Sequence, residues 1–198
     1  MTIRKLSTLA AATMALSLGA CGINSVPTAE EAVNAAWGNV EAEYQRRNDL
    51  IGNLVESVKA AAGSEEEILT QITEARASAT SANLSPDQLD NPEAVRAYAE
   101  AQGQLSNARS LLGTVIMERY PELQSQQRFA DLMVQLEGTE NSILVARRDY
   151  NEAVQEYNTT IRTFPDAIGA KIIHGAEPKV PFESAPGADQ PVTVDFDA

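Results

Sequence analysis

LEGTENSILVARRDYNEAVQEYNTTIRTFP, residues Leu136–Pro165, decides how the rest of the chain must fold. Leu136, Glu140, Ile143, Arg147, Tyr150, Val154, Tyr157, Ile161 and Phe164 recur at steps of three and four, which places them on one face of an amphipathic helix. Phe129 and Leu132 extend that face back to a start near Ser125. Phe164-Pro165 ends it, because proline disfavours a helical residue before it. A stripe of this length can be covered only by a partner of similar length.

The first third of the chain supplies that partner. Thr28-Ala29-Glu30-Glu31 has the form of a capping box. From it Val33, Trp37, Val40, Tyr44, Arg47, Ile51, Leu54 and Val58 form a heptad-like seam running to Gly63. The spacing predicts a first helix of about 33 residues, roughly 50 Å long. Ser64-Glu65-Glu66-Glu67 repeats the capping signal after a reversal at Gly63-Ser64. A second helix follows to about Asn83, with Ile68, Leu69, Ile72, Ala75 and Ala79 inward. Ser85-Pro86 and Asn91-Pro92 are start signals, with proline after a polar cap. A third helix is expected over Pro92–Arg119, burying Val95, Tyr98, Leu105, Leu112, Val115 and Ile116; close helix–helix approach is the expected role of Gly103 and Gly113. The expected fold is all-α, an antiparallel up-and-down four-helix bundle of long helices over residues 28–165. Residues 166–198, with Pro178, Pro181, Pro186 and Pro191, are expected to form an extended or disordered C-terminal arm, after a short apolar turn at Ile168 to Ile173.

Residues 1–20 read as a targeting segment. Arg4 and Lys5 precede an apolar run from Leu6 to Leu18, too short for a comfortable membrane span of ~20 residues. Leu18-Gly19-Ala20-Cys21 has the form of a bacterial lipobox, so lipidation of Cys21 is expected, with residues 21–27 as a tether. The plainer reading, a buried cysteine behind an ordinary signal peptide, does not explain why charge, apolar run and lipobox fall in register. Each buried lipid methylene contributes ~0.8 kcal/mol, so an acylated Cys21 is a firm anchor. The expected address is the cell envelope, facing the periplasm. Gly22 in place of an aspartate tilts the expectation toward the outer membrane of a host that has one.

The formal net charge is −13, and removing Arg4 and Lys5 with the targeting segment takes it to −15. Such a surface repels nucleic acid and anionic lipid, and it keeps a periplasmic domain soluble. One cysteine, spent on lipid, leaves no disulfide. Stability must come from helix packing, since aromatic residues are only 5% of the chain.

Arg47, Glu140 and Arg147 interrupt otherwise apolar seams. If the first and last helices are antiparallel, the three meet at mid-bundle as an ionic layer, which fixes register more than it stabilises. The alternative is a polar groove for a ligand or partner helix. Tyr150-Asn151 and Tyr157-Asn158 repeat after seven residues, so both rings share a face, with Trp37 opposite. Core packing is the plainer use of that aromatic face, and ligand binding the sharper one. Metal chemistry is not expected: the single histidine, His174, lies in the arm, so no Glu-x-x-His pair exists. No catalytic set, phosphate loop or cofactor motif is present in the sequence.

Four blocks resemble the LemA family. They are Ala36-Trp37-Gly38-Asn39-Val40 with Gln45 to Glu56 (QRRNDLIGNLVE), Ala75-Arg76-Ala77, Glu118-Arg119-Tyr120-Pro121-Glu122-Leu123, and Leu136 to Asn141 with Ala146 to Asn151, Tyr157-Asn158 and Phe164-Pro165. The blocks keep their order from about Glu30 to Phe182. Gly52 departs from the pattern, where many members have proline, and a lipobox stands where many carry an N-terminal membrane segment. The resemblance implies long helices at a membrane and supplies no reaction. The expected function is therefore non-enzymatic: an interaction or scaffold module with envelope protein partners, no cofactor and an open oligomeric state. A periplasmic ligand carrier or sensor with a mid-bundle polar cavity is the alternative.

Overall fold

The computed structural model describes residues 21–62, 66–120, 123 and 126–183. Five α-helices account for most of them: α1 (Cys21–Ala62), α2 (Glu66–Ser81), α3 (Pro92–Arg119), α4 (Gln127–Thr160) and the short α5 (Asp166–Gly169). A 3-10 turn covers Pro86–Gln88 and a π-helical turn covers Ala170–His174; no strand occurs among the described residues. None of these helices is long and apolar enough to cross a membrane.

α1 and α4, of 42 and 34 residues, form the principal pair. They run in opposite directions. Ser25 Oγ donates to Asp166 just beyond the end of α4, Trp37 packs on Tyr150, and Arg47 pairs with Glu140. The α1 seam buries Val33, Trp37, Val40, Tyr44, Arg47, Ile51, Leu54 and Val58 as the heptad spacing predicts. Each fully buried aliphatic side chain in that seam contributes about 1.5–3 kcal/mol. α2 lies on α3, where Gln102 Nε2 donates to Ala79 O at 3.0 Å. Arg76 of α2 also crosses α1, its Nε donating to Asn48 O at 2.9 Å. At the start of α3 the Asn91 side chain accepts from the Glu93 and Ala94 amides, and Pro92 needs no donor there.

Several boundaries differ from the sequence expectations. α1 already starts at Cys21 and runs through Pro27, so residues 21–27 are helix rather than tether. Burial of Val26 against the core holds this first stretch in place. The Thr28 hydroxyl turns back to Asn24 O at 2.7 Å instead of capping a helix start. Ser85-Pro86 opens only a 3-10 turn. α4 ends at Thr160, and Phe164 is 66% exposed instead of closing the seam. Residues 166–174 are helical, not extended, and the left-handed Gly175 (φ 57°) ends them. Gly103 meets nothing within 4 Å of an added Cβ, and Gly113 only the end of Met133, so neither marks a close helix approach. The expected reversal at Gly63-Ser64, the capping residue Ser64, and the arm beyond Glu183 lie outside the described residues.

The core is in two parts along the bundle axis. One groups the first half of α1 with Leu84, Leu89, the start of α3, the second half of α4, Ala170 and Phe182. The other groups the second half of α1 with α2, the rest of α3 and the first half of α4. Arg47 lies at the junction, between Tyr44 in the first cluster and Leu50 in the second.

Candidate functional site

The junction is a polar layer built on Arg47, which is 1% exposed. Its Nη1 donates to Ser106 Oγ at 2.6 Å, and its Nη2 to Gln102 Oε1 at 2.7 Å and Gln102 O at 3.1 Å. Glu140 Oε1 lies 3.7 Å from Arg47 Nη1 and 3.6 Å from Arg109 Nε. The guanidinium also stands over the Tyr44 ring, 4.9 Å from its centroid. Burial lowers the pKa of Arg47, and the Glu140 carboxylate opposes that shift. Removing a guanidinium from water is expensive, and these neutral acceptors plus one half-buried carboxylate offset it. Arg47 and Glu140 meet as the antiparallel arrangement requires, but Arg147 does not join them. Gln102, Ser106 and Arg109 of α3 take part instead.

Arg147 is displaced because α4 is rotated relative to the simplest seam. Its buried positions are Phe129, Leu132, Leu136, Thr139, Ile143, Ala146, Tyr150, Val154 and Tyr157, so small Thr139 and Ala146 take the buried places where Glu140 and Arg147 were expected. Glu140 and Arg147 lie one residue to the side. Arg147 turns to the arm: its Nη2 donates to Glu183 O at 2.8 Å and its guanidinium covers the Phe182 ring at 4.9 Å.

The aromatic face is filled by the chain's own arm. Phe182 stacks on Trp37 (centroids 5.9 Å apart, planes 24° apart) and meets Tyr150 edge to face at 5.4 Å. Trp37 in turn contacts Tyr98 and Tyr150 edge to face. Tyr157 is buried in the same cluster. Burial raises the phenol pKa of Tyr44, Tyr98 and Tyr150, and pushes that of Tyr157 up to about 12.

Residues 176–183 run back along α4, held by two asparagine clamps. Asn158 Nδ2 donates to Lys179 O at 2.8 Å while its Oδ1 accepts from Lys179 N at 2.9 Å. One heptad earlier, Asn151 makes the same pair with Phe182, at 3.0 and 2.8 Å. The spacing follows from geometry. Seven helical residues rise about 10.5 Å, and three residues of extended or polyproline chain advance about 9–10 Å. Val180 sits between the clamps, its N–H donating to Leu89 O at 2.8 Å and its carbonyl accepting from the Tyr150 hydroxyl at 2.9 Å. The backbone of Lys179, Val180 and Phe182 is thereby satisfied without a sheet, as burial demands. Pro178 and Pro181 fall where no clamp needs an N–H. Lys179, 8% exposed, reaches Glu30 Oε1 of α1 at 3.4 Å. The Tyr-Asn heptad was visible in the sequence; that the asparagines, not only the tyrosines, hold the arm was not.

Two open clefts of about 490 Å³ each flank these features. One lies among Glu41, Tyr44, Asn48, Ala79, Tyr98 and Gln102, the other along the arm at Asp90, Asn158 and Pro178. Neither is lined by Arg47 or Glu140. Among the described residues no three His, Cys, Asp or Glu side chains converge to hold a metal. Cys21 is the first residue of α1.

Trp37, Arg47, Arg76, Tyr150 and the two asparagines all lie within the span that a family model matches. The LemA family model matches residues 36–196. This chain belongs to the LemA family. Among curated relatives of this LemA chain, "Magnetosome protein MamQ 2" and "Magnetosome protein MamQ 1" of Paramagnetospirillum magneticum are each 27% identical over 184 residues, covering 85% of this chain and 67% of theirs. "Magnetosome protein MamQ" of Magnetospirillum gryphiswaldense is 27% identical over 185 residues, with the same coverage.

Proposed function

We propose that this LemA-family protein is a non-enzymatic, lipid-anchored module of the cell envelope that works through protein partners. On this reading it is an up-and-down four-helix bundle, carrying its C-terminal arm along α4 and held at the membrane through Cys21. The periplasmic face of the outer membrane is the proposed address in a host that has one. The antiparallel α1–α4 contacts support the bundle, and the lipobox before Cys21 supports the anchor.

One observation favours partners over a ligand: the chain's own Phe182 fills the aromatic face formed by Trp37 and Tyr150. The polar layer is likewise committed, with Arg47 bound to Ser106, Gln102 and Glu140. The features that could have recognised a small molecule are occupied from within, whereas α4 leaves Val134, Leu144 and Val145 exposed. Relatives named as magnetosome proteins support a role in a cellular assembly.

Crosslinking of the intact protein in its native membrane, with identification of the captured chains, tests this reading. Reproducible protein partners are expected; recovery of a small molecule with no protein partner overturns it. Cys21→Ser tests the anchor separately, and unchanged membrane association refutes lipidation as its cause.

A second reading, a carrier or sensor of a small polar ligand, has one observation in its favour. Asn48 lines the cleft beside the polar layer, and its buried Oδ1 has no hydrogen-bond partner. Co-purification of a ligand that Asn48→Ala abolishes would support it.

A further inference from the structure

The end of the molecule at which α1 begins is chemically unlike the rest. Residues 21–29, CGINSVPTA, carry no charged side chain, although the chain has 28 acids. Residues 157–176 contain one acid, Asp166, and its carboxylate accepts from Ser25 Oγ at 2.6 Å. Arg162 and Lys171 are exposed on the same stretch. Glu30, Glu156 and Glu177 border these two windows, and Asp90 and Glu177 share a cleft with Arg162, so this end is poorer in acids than the rest of the chain rather than reversed in charge. In the sequence, Glu65, Glu66 and Glu67 follow the other end of α1.

The apolar residues there are arranged against the usual rule. In α5 and the π turn, small Gly169 and Ala170 are buried, Ala170 in the cluster that holds Val26 of α1. The large side chains point outward: Phe164 is 66% exposed, Ile168 52%, Ile172 78% and Ile173 58%. Phe164 precedes α5 and Ile172 and Ile173 belong to the π turn, so the four do not share one α-helical face, but all lie exposed within ten residues of chain. A soluble chain rarely leaves four such residues together on its surface without a use for them. In the sequence the apolar run Leu6–Leu18 precedes Cys21, so the proposed anchor, a lipid on Cys21 or the run itself, would bring hydrocarbon to this end.

We propose that Phe164, Ile168, Ile172 and Ile173 form a bilayer-docking surface. They would enter the interface of a phospholipid membrane while Arg162 and Lys171 meet headgroup phosphates. This rests on the envelope-anchored reading above and adds an orientation to it: the bundle stands on this end instead of swinging from a single lipid. Apolar side chains flanked by cations are the composition that settles at the boundary between headgroups and acyl chains.

The test is nitroxide labelling of Ile168→Cys, Ile172→Cys and, as a solvent reference, Val134→Cys, a position 68% exposed in the other half of α4. Each is made in the full chain and reconstituted in phosphatidylcholine–phosphatidylglycerol vesicles as well as held in native membranes. The parent chain is treated with the same reagent, because a Cys21 sulfur in a thioether takes no label. Labels at 168 and 172 are expected to collide with oxygen and be shielded from a water-soluble nickel chelate, the inverse of position 134. Labels at 168 and 172 as open to nickel as position 134 overturn the docking surface. Shielding from both reagents in native membranes, absent in pure vesicles, also overturns it, because a protein then covers the patch. A labelled parent chain that an alkaline wash releases refutes the anchor alone, if positions 168 and 172 were shielded from nickel before the wash. A retained protein with wet labels refutes the docking surface alone.

Discussion

Replacing Asn151 by alanine removes both bonds of one clamp, Nδ2 to Phe182 O at 3.0 Å and Phe182 N to Oδ1 at 2.8 Å. Each such bond is worth about 1 kcal/mol net, so arm docking should weaken by about 2 kcal/mol. At 1.4 kcal/mol per decade this is about a 30-fold rise in the opening constant of the arm. Removing Asn158 as well should bring the loss to about 4 kcal/mol, the two clamps being about 10 Å apart and close to additive. Native-state hydrogen exchange reads this directly, because the amides of Lys179, Val180 and Phe182 are the docked donors. They should exchange faster by the stated factor, while the amide of Ile51, in the other core cluster, keeps its rate. The fluorescence of the single tryptophan should change in parallel, since Phe182 leaves its face. Unchanged exchange at Phe182 would refute the clamp. Equal acceleration at Phe182 and Ile51 would refute the idea that the arm docks as a separate unit.

Other outcomes can be measured on the same protein. Glu140→Ala strips Arg47 of its only described carboxylate partner; because Arg47 keeps Ser106 and Gln102, the loss should be about 1–3 kcal/mol, below the full cost of breaking a buried pair. In a domain of this size that lowers Tm by roughly 2–4 °C per kcal/mol, and an unchanged Tm would remove the layer's structural role. Gly103→Ala meets open space inside α3 and should stabilise by up to about 1 kcal/mol, read as a higher midpoint in urea. Gly52→Ala should be close to neutral, because a Cβ 2.9 Å from Arg76 Nη2 displaces that side chain and offsets the helix gain. Tyr157 should link stability to alkaline pH: with its folded pKa near 12 and an unfolded one near 10, its contribution is complete below about pH 10 and falls as pH rises toward 12. Phenolate absorbance of the buried tyrosines should then grow in step with loss of helix, and a normal titration of the native protein would contradict the burial.

The α1 seam was legible because, Arg47 apart, an aromatic or branched side chain falls at every third or fourth position, and one rotation of the helix buries them all. α4 was legible only in part. Leu136, Ile143, Tyr150 and Tyr157 fix a stripe, but either flank of that stripe completes a heptad. Thr139 and Ala146 are too small and too weakly apolar to compete on paper with the conspicuous Glu140 and Arg147. What decides between the flanks is not local. Arg109 draws Glu140 toward α3, and the arm draws Arg147 the other way. The start of α1 was misread for a related reason. Pro27 and Thr28 look like a helix boundary to any local rule, while the burial of Val26 against distant parts of the chain carries the helix through them. Arg47 with Glu140, and Trp37 with Tyr150, were legible once the antiparallel pairing was assumed. Phe182 was not, since 33 residues past Asp149 no periodicity links it to the helix it meets.

The asparagine clamps read peptide backbone and are blind to the side chains of Lys179 and Val180. Two kinds of sequence change should therefore have opposite fates in this arm. Exchanging one residue for another at 179 or 180 keeps both clamps so long as proline is avoided at the donating positions, and costs only what the Lys179–Glu30 pair and the packing of Val180 contribute. Inserting or deleting a single residue between 179 and 182 throws one clamp out of reach and lifts Phe182 off Trp37, whatever residue is used. The arm is held by count before identity, like a key whose cuts are spacings.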